Sequence, residues 1–124
     1  MKQFHFSVSN DFKSFYKILE KSKLQYRTKP THSLKELIKL KKSFPEDVHL
    51  IISNYKKQCV GGSVVFFTNQ NSSLVFYNTI EDKFRTTQLA TLQLYRCMDL
   101  SKKHNRDLLD LGVSHNPESN NPLS

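Results

Sequence analysis

The sequence predicts a mixed α/β domain, a mostly antiparallel sheet with helices on both faces, in the order β-α-α-β-β-β-α-β. Three observations carry that expectation. Stretches of strict apolar/polar alternation are interleaved with stretches whose apolar residues recur at three- and four-residue spacing. Three β-branched runs follow one another between residues 48 and 79, divided only by short turn signals, as in an antiparallel meander. A helical stretch then leads to a last apolar run, Leu108 to Val113, which returns parallel to its neighbour through a right-handed crossover.

Each element has a local reason. Phe4, Phe6 and Val8 alternate with Gln3, His5 and Ser7, the pattern of a half-buried strand. Asn10 or Ser9 caps a first helix carrying Phe12, Phe15, Tyr16 and Leu19 on one face. A polar connection follows from Lys21 to Pro30, where proline keeps Lys29 extended. Ser33-Leu34-Lys35-Glu36 reads as a capping box, so a second helix starts at Ser33 and stops before Pro45. Its inner face is Leu34, Leu37, Ile38 and the stem of Lys41, with Phe44 at the end. Strands follow over Val48 to Tyr55, Cys59 to Thr68 and Leu74 to Thr79, with a tight hairpin at Lys56-Lys57 and a turn at Asn69 to Ser72. From about Asp82 to His104 the pattern is helical, with Leu89, Leu92, Tyr95 or Arg96, and Leu100 sharing a face, and Asn105 ends it.

The 124 residues make one domain, assigned to 1–115, with an Asn-, Ser- and Pro-rich tail over 116–124 expected to be flexible. Apolar residues at 37% with only 3 Gly and 4 Pro are a globular composition rather than a disordered one. The net charge of +8 and pI near 9.6 invite a polyanionic partner, such as a nucleic acid or a phosphorylated cofactor. Yet the lysines from Lys17 to Lys29 and from Lys35 to Lys42 fall at the spacing of solvated helix faces, and no Arg-rich or aromatic-interleaved run marks a nucleic-acid surface. Cys59 and Cys97 stand far apart, and neither has metal-ligand spacing around it. Two buried, reduced thiols suit a cytoplasmic protein, and neither a signal peptide nor an apolar run near 18 residues is present, which makes the expectation a soluble cytoplasmic chain.

Three strings carry a family resemblance. They are Lys29-Pro30-Thr31-His32-Ser33-Leu34-Lys35-Glu36-Leu37 with Leu40 and Phe44-Pro45; Val60-Gly61-Gly62-Ser63-Val64-Val65-Phe66; and Leu109-Asp110-Leu111-Gly112-Val113-Ser114. In order and spacing they resemble the GNAT acetyltransferase domain of the Fem-like, peptidoglycan-bridge and lipid II-related transferases, over nearly the whole chain. The resemblance implies a sheet whose fourth and fifth strands splay apart, with acetyl-CoA or another acyl-CoA as co-substrate in the gap and an amine as acceptor. It also implies a further helix and two strands after the last strand, which this sequence does not contain. The family's pyrophosphate loop has an Arg/Gln-x-x-Gly-x-Gly/Ala pattern. The corresponding stretch here, Asp82 to Ala90, has no glycine.

Direct acyl transfer needs amides for phosphates, a donor for the developing oxyanion and a proton acceptor for the amine, but no covalent nucleophile. On the family reading, Arg85, Thr86 and Thr87 open the long helix and hold the pyrophosphate, with Asn78 on the neighbouring strand as a further cofactor contact; an ordinary N-cap beside a solvated Arg is the plain alternative. Tyr77, on the strand facing the gap, is a candidate proton donor to the leaving thiolate, or else a packing residue. Asp110 lies in an apolar run near the carboxyl end of the last strand, where such a carboxylate must be paired or face a cleft. It is the leading catalytic candidate, against a structural role capping a loop. His32 and Ser114 are candidate acceptor contacts. Gly61-Gly62 inside a strand marks a bulge or a close approach of a helix. No metal site is expected.

Three functions compete at this stage. The first is an acyl-CoA-dependent N-acyltransferase. The second is tRNA-dependent aminoacyl transfer to a peptidoglycan precursor, which the basic charge mildly supports but which is not favoured, since on the family resemblance it needs a paired domain and a helical arm that do not fit in this chain. The third is a non-catalytic remnant or binding module, with self-association through an exposed sheet edge beside Leu109, Leu111 and Val113.

Overall fold

Ser33 accepts the Glu36 amide on Oγ at 3.1 Å and Glu36 returns the bond to the Ser33 amide at 2.7 Å, so the capping box forms as the sequence predicts. Helix α2 (Leu34–Ser43) starts from it. The computed structural model describes residues 3–25 and 30–110. The other elements are β1 (His5–Ser9), α1 (Phe12–Gln25), β2 (Val48–Tyr55), β3 (Gln58–Phe67), β4 (Ser72–Ile80), a 3-10 turn (Asp82–Phe84), α3 (Leu89–Lys103) and β5 (Leu108–Asp110). The element order is the predicted one. The strands lie in the order β1-β2-β3-β4-β5, antiparallel except for the parallel β4–β5 pair.

Lys56 and Lys57 both adopt positive φ, at 52° and 66°, which matches the hairpin turn to the twist of β2 and β3. Asn105, at φ 63°, turns the chain out of α3. Helices α1 and α2 cover one face of the sheet. Phe12, Phe15, Leu19 and Leu37 pack there on Val48, Leu50, Ile52, Val64 and Tyr77. Helix α3 covers the other face, where Cys97 packs with Ile51, Val65, Phe67 and Val75.

The two glycines are points of close approach for both layers. A Cβ on Gly62 would stand 2.8 Å from Phe15 Cδ1 of α1, and one on Gly61 would stand 2.8 Å from Thr79 O and against Gln93 Oε1 of α3. Consecutive residues of a strand face opposite sides, so Gly61 and Gly62 admit one helix each. A register shift beside them, with Val60 unpaired between the Ser53–Gly61 and Asn54–Cys59 pairs, adds the expected bulge.

Several local expectations are corrected. Asp11 caps α1, not Asn10 or Ser9: its carboxylate accepts the Ser14 amide at 3.1 Å and the Ser14 hydroxyl at 2.7 Å. The bond to Ser14 also holds the Asp11 carboxyl below its usual range. Helix α1 runs on to Gln25, because no breaker interrupts Lys21 to Gln25. Helix α3 begins only at Leu89, and its buried ridge is Leu89, Gln93, Cys97 and Ser101, while Tyr95 stands 56% exposed. Val8, on the edge strand, is 61% exposed. The tail over 116–124 lies outside the described residues, as do Leu111, Val113 and Ser114. No helix among the described residues is long and apolar enough to cross a membrane.

Candidate functional site

A second bulge shapes β4. Val64 of β3 pairs with Tyr77 and Val65 with Val75, so Phe76 is extra. The insertion exchanges faces: Val75 packs on the α3 side, whereas Tyr77 packs on the α1/α2 side, with Phe76 against the same cluster. The β4–β5 pairing described ends at Leu74–Asp110, just before this bulge. From Val75 to Ile80 the outer edge of β4 has no partner strand among the described residues, and its carboxyl end leads through the 3-10 turn to α3.

The connection before α2 comes down onto the bulge. The His32 ring stacks on Phe76, with centroids 5.8 Å apart and planes at 24°. Its Nδ1 lies 2.8 Å from the Tyr77 hydroxyl, which also accepts the His32 amide at 3.1 Å. Tyr16 of α1 donates to the His32 carbonyl at 2.8 Å. His32 is thus gripped by one tyrosine from each side. Burial pushes the Tyr77 phenol up, the donors from His32 and Thr31 offset part of that, and burial likewise raises Tyr16, so both phenols keep their protons at neutral pH.

Asn78 faces the other way. Its Oδ1 accepts from Ser63 Oγ and Gln93 Nε2, both at 2.7 Å, and its Nδ2 donates to Ala90 O at 3.2 Å. Gln93, 0% exposed, also accepts from Ser53 Oγ at 2.7 Å and reaches the Gly62 and Thr79 carbonyls, each at 3.2 Å. This network ties α3 to β2, β3 and β4, and leaves the Asn78 backbone rather than its side chain for any ligand.

Arg85, Thr86 and Thr87 do not open α3; they form the turn ahead of it. The Thr87 hydroxyl donates to Phe84 O at 2.6 Å and accepts the Leu89 amide at 3.1 Å, which closes one turn and starts the next. Gln88, the N-cap residue, makes no side-chain capping bond. The next amides, Ala90 and Thr91, are the orphan donors of a helix start. Arg85 is exposed, with its guanidinium 3.9 Å from Asp82. Arg85 therefore lies on the turn that leads into a 15-residue helix, whose first amides need partners from outside the helix.

Asp110 is exposed and sits level with Leu74, beside Thr68, Asn69 and Ser72. Three residues of strand, roughly 10 Å, separate that level from Tyr77. The structure therefore brings Tyr77 and His32 together, keeps Asn78 with α3, and sets Asp110 apart from the Arg85 turn. Among the described residues no group of three His, Cys, Asp or Glu side chains could hold a metal ion. Both cysteines are free, and burial pushes Cys97 up to about 11. Sequence reasoning missed Gln93, Ser53, Ser63 and Tyr16; the available signal was Gln93 standing four residues from both Leu89 and Cys97, opposite a strand glycine.

No family model matches the chain, and no curated protein matches it in sequence. Solved structures do match its fold. An aminoglycoside acetyltransferase from an uncultured soil metagenomic sample, in complex with sisomicin, aligns with a TM-score of 0.72 and 8% identity over 94% of this chain and 80% of its own. A ribosomal-protein-alanine N-acetyltransferase from Brucella melitensis aligns at 0.71 and 14% identity, over 98% and 89%. A GNAT family acetyltransferase from Staphylococcus aureus aligns at 0.65 and 18%, over 94% and 89%. The fold is that of the GNAT acetyltransferases, in agreement with the class the three sequence strings suggest.

Proposed function

We propose that the chain is an N-acyltransferase that moves an acetyl or other acyl group from acyl-CoA to an amine held beside it. One observation carries the reading: the chain shares the fold of solved acetyltransferases over 94% to 98% of its length, and in that fold β4 leads through the Arg85 turn into the start of α3. Phosphates suit amides at a helix start. Acyl-CoA would supply the acyl group as a thioester. The amine nitrogen bonds to the acyl carbon, the carbon–sulfur bond breaks with its pair on sulfur, and the amine gives up a proton.

In this reading the turn amides and Arg85 bind phosphate, with Thr86 and Thr87 shaping the turn and Asn78 of β4 as a further cofactor contact. His32 contacts the acceptor. Asp110 of β5 is offered as the proton acceptor, and Ser114, outside the described residues, as a further contact to the acceptor. The Fem-like subgroup and its tRNA-dependent chemistry rest on the sequence strings alone, and the structural neighbours do not add to them. A cytoplasmic location suits the two free thiols.

Calorimetry with acetyl-CoA tests the proposal. Wild type binds, and Arg85→Ala with Thr87→Ala weakens binding about tenfold or more, the size of lost charge-assisted contacts. Because Thr87 also starts α3, thermal melts of both proteins accompany the titration. A wild-type chain that melts normally and ignores acetyl-CoA ends the reading.

A further inference from the structure

We infer that Tyr77 is a positioning residue that holds the neutral His32 ring as its Nε2–H tautomer, so that the ring offers the acceptor amine's neighbourhood a hydrogen-bond donor and not a base. The clamp itself is independent of function; its role toward an acceptor rests on the acyl-transfer reading. The Tyr77 oxygen already accepts the His32 amide at 3.1 Å. A phenol oxygen has room for about two incoming donors and one hydrogen of its own to give. Were Nδ1–H the second donor, the phenol hydrogen would lose Nδ1 as its acceptor. The phenol hydrogen has Nδ1 at 2.8 Å, and donation to it satisfies both groups.

With Nδ1 accepting, a neutral imidazole carries its proton on Nε2. Nε2 has no hydrogen-bond partner among the described residues, and the ring is half-buried. The ring is also held flat on Phe76, the bulge residue of β4. Tyr16 fixes the His32 carbonyl and the Ser33 capping box fixes the residue after it, so the ring has little freedom to turn away. A donor set there selects an acceptor molecule that carries an oxygen next to its amine, as in an amino amide or amino alcohol, over a plain alkylamine. It cannot take the amine's proton at Nε2, which leaves that task to another group.

The test uses the full chain. Nitrogen-15 spectra of the histidine side chains, with His32 assigned by its loss in His32→Gln, should show the Nε2–H form above pH 7.5. Tyr77→Phe, which keeps the ring packing, should release it to a mixture. Tyr16→Phe loosens the same residue through its carbonyl and should leave the tautomer unchanged, which separates positioning from general loss of order. A wild-type Nδ1–H form, or no change in Tyr77→Phe, overturns the clamp.

Transfer from acetyl-CoA to alanine amide is then compared with transfer to isopropylamine. Wild type should favour alanine amide about tenfold, the worth of one good hydrogen bond. His32→Ala should lose the preference, and His32→Gln, which keeps a donor near Nε2, should recover part of it. Equal rates for the two amines, or equal losses in the Ala and Gln variants, overturn the donor role. Failure to bind acetyl-CoA ends the acyl-transfer reading, while the tautomer measurement still decides the clamp.

Discussion

The two faces of the sheet are held by different physics. On the α1/α2 face the contacts are mostly apolar: Phe12, Phe15, Leu19 and Leu37 are almost fully buried against strand residues, and the hydrogen bonds sit at its margins, around His32 and where Lys41 Nζ reaches Val48 O at 2.7 Å. On the α3 face the helix presents Gln93 and Ser101 to the sheet between Leu89 and Cys97, and Gln93 bonds to three strands. Apolar packing is non-directional and tolerates a small slide, whereas a side chain bonded to several fixed groups admits one position. The difference teaches where precision is needed. Helix α3 carries the turn proposed to hold phosphate, and its register on the sheet is set by polar contacts rather than by shape alone.

The largest expected effect breaks the apolar face. Phe15→Ala should cost about 3–5 kcal/mol, because the ring lies at 0% exposure over Gly62 and beside Tyr77. Chemical denaturation measures it. A loss near 1 kcal/mol would mean that the α1 layer collapses easily and contributes little.

Gln93→Met comes next and breaks the polar face. The substitution nearly preserves volume, so its cost isolates the network: Ser53, Asn78 and two carbonyls lose a partner in a dry interface. About 2–4 kcal/mol is expected from groups left unsatisfied. The comparison sharpens in the spectra. Phe15→Ala should disturb amide signals mainly in α1, and Gln93→Met those of α3 and the Arg85 turn. If Gln93→Met is neutral, water or a shifted Asn78 replaces the amide, and the polar face is no more exacting than the other.

Much of this arrangement is visible in the sequence, for reasons that differ by residue. The capping box at Ser33, the Lys56-Lys57 hairpin and the punctuation by Asn105 are local signals, read by the residues that form them. The glycine pair announces a close approach, since a strand gains nothing else from losing two side chains. The Phe76 bulge is hidden, because burial alternates evenly through Ser73, Val75, Tyr77 and Thr79 while the face changes between Val75 and Tyr77. Nothing in a single strand's pattern records such a swap, and it is what puts Tyr77 against His32 instead of under α3. Gln93 was passed over for a similar reason. Reading α3 by its leucines selects Leu92 and Leu100, yet the buried ridge holds a glutamine whose partners lie on three separate strands. The motif strings point to the GNAT class, but the site residues near Asp110 and Ser114 depend on chain beyond the described residues.

The smallest effect concerns pH, and the part due to His49 should fall first on the α3 face. His49 of β2 packs its ring 4.5 Å from Phe67 and 5.7 Å from His104, at the far end of α3, with Nε2–H donating to Glu46 O at 2.9 Å. Burial lowers its pKa below the ordinary 6.5; nearby Lys41 and His104 act in the same direction, while the Glu46 carbonyl and Asp47 oppose it. The unfolded chain therefore binds the proton first as pH falls. The stability this residue contributes is fully present above about pH 6.5 and declines as pH drops through that value toward the folded pKa. His49→Gln keeps a donor for Glu46 but cannot titrate. Between pH 7.5 and 5.5 the wild-type melting temperature should fall a few degrees further than that of the variant. Amide exchange locates the effect: protection corrected for intrinsic rate should weaken in α3 and β2, which hold His49 between them, before it weakens in α1. Equal weakening of α1 and α3 would mean that the two faces open as one unit, and that the polar and apolar layers differ in chemistry but not in how they come apart.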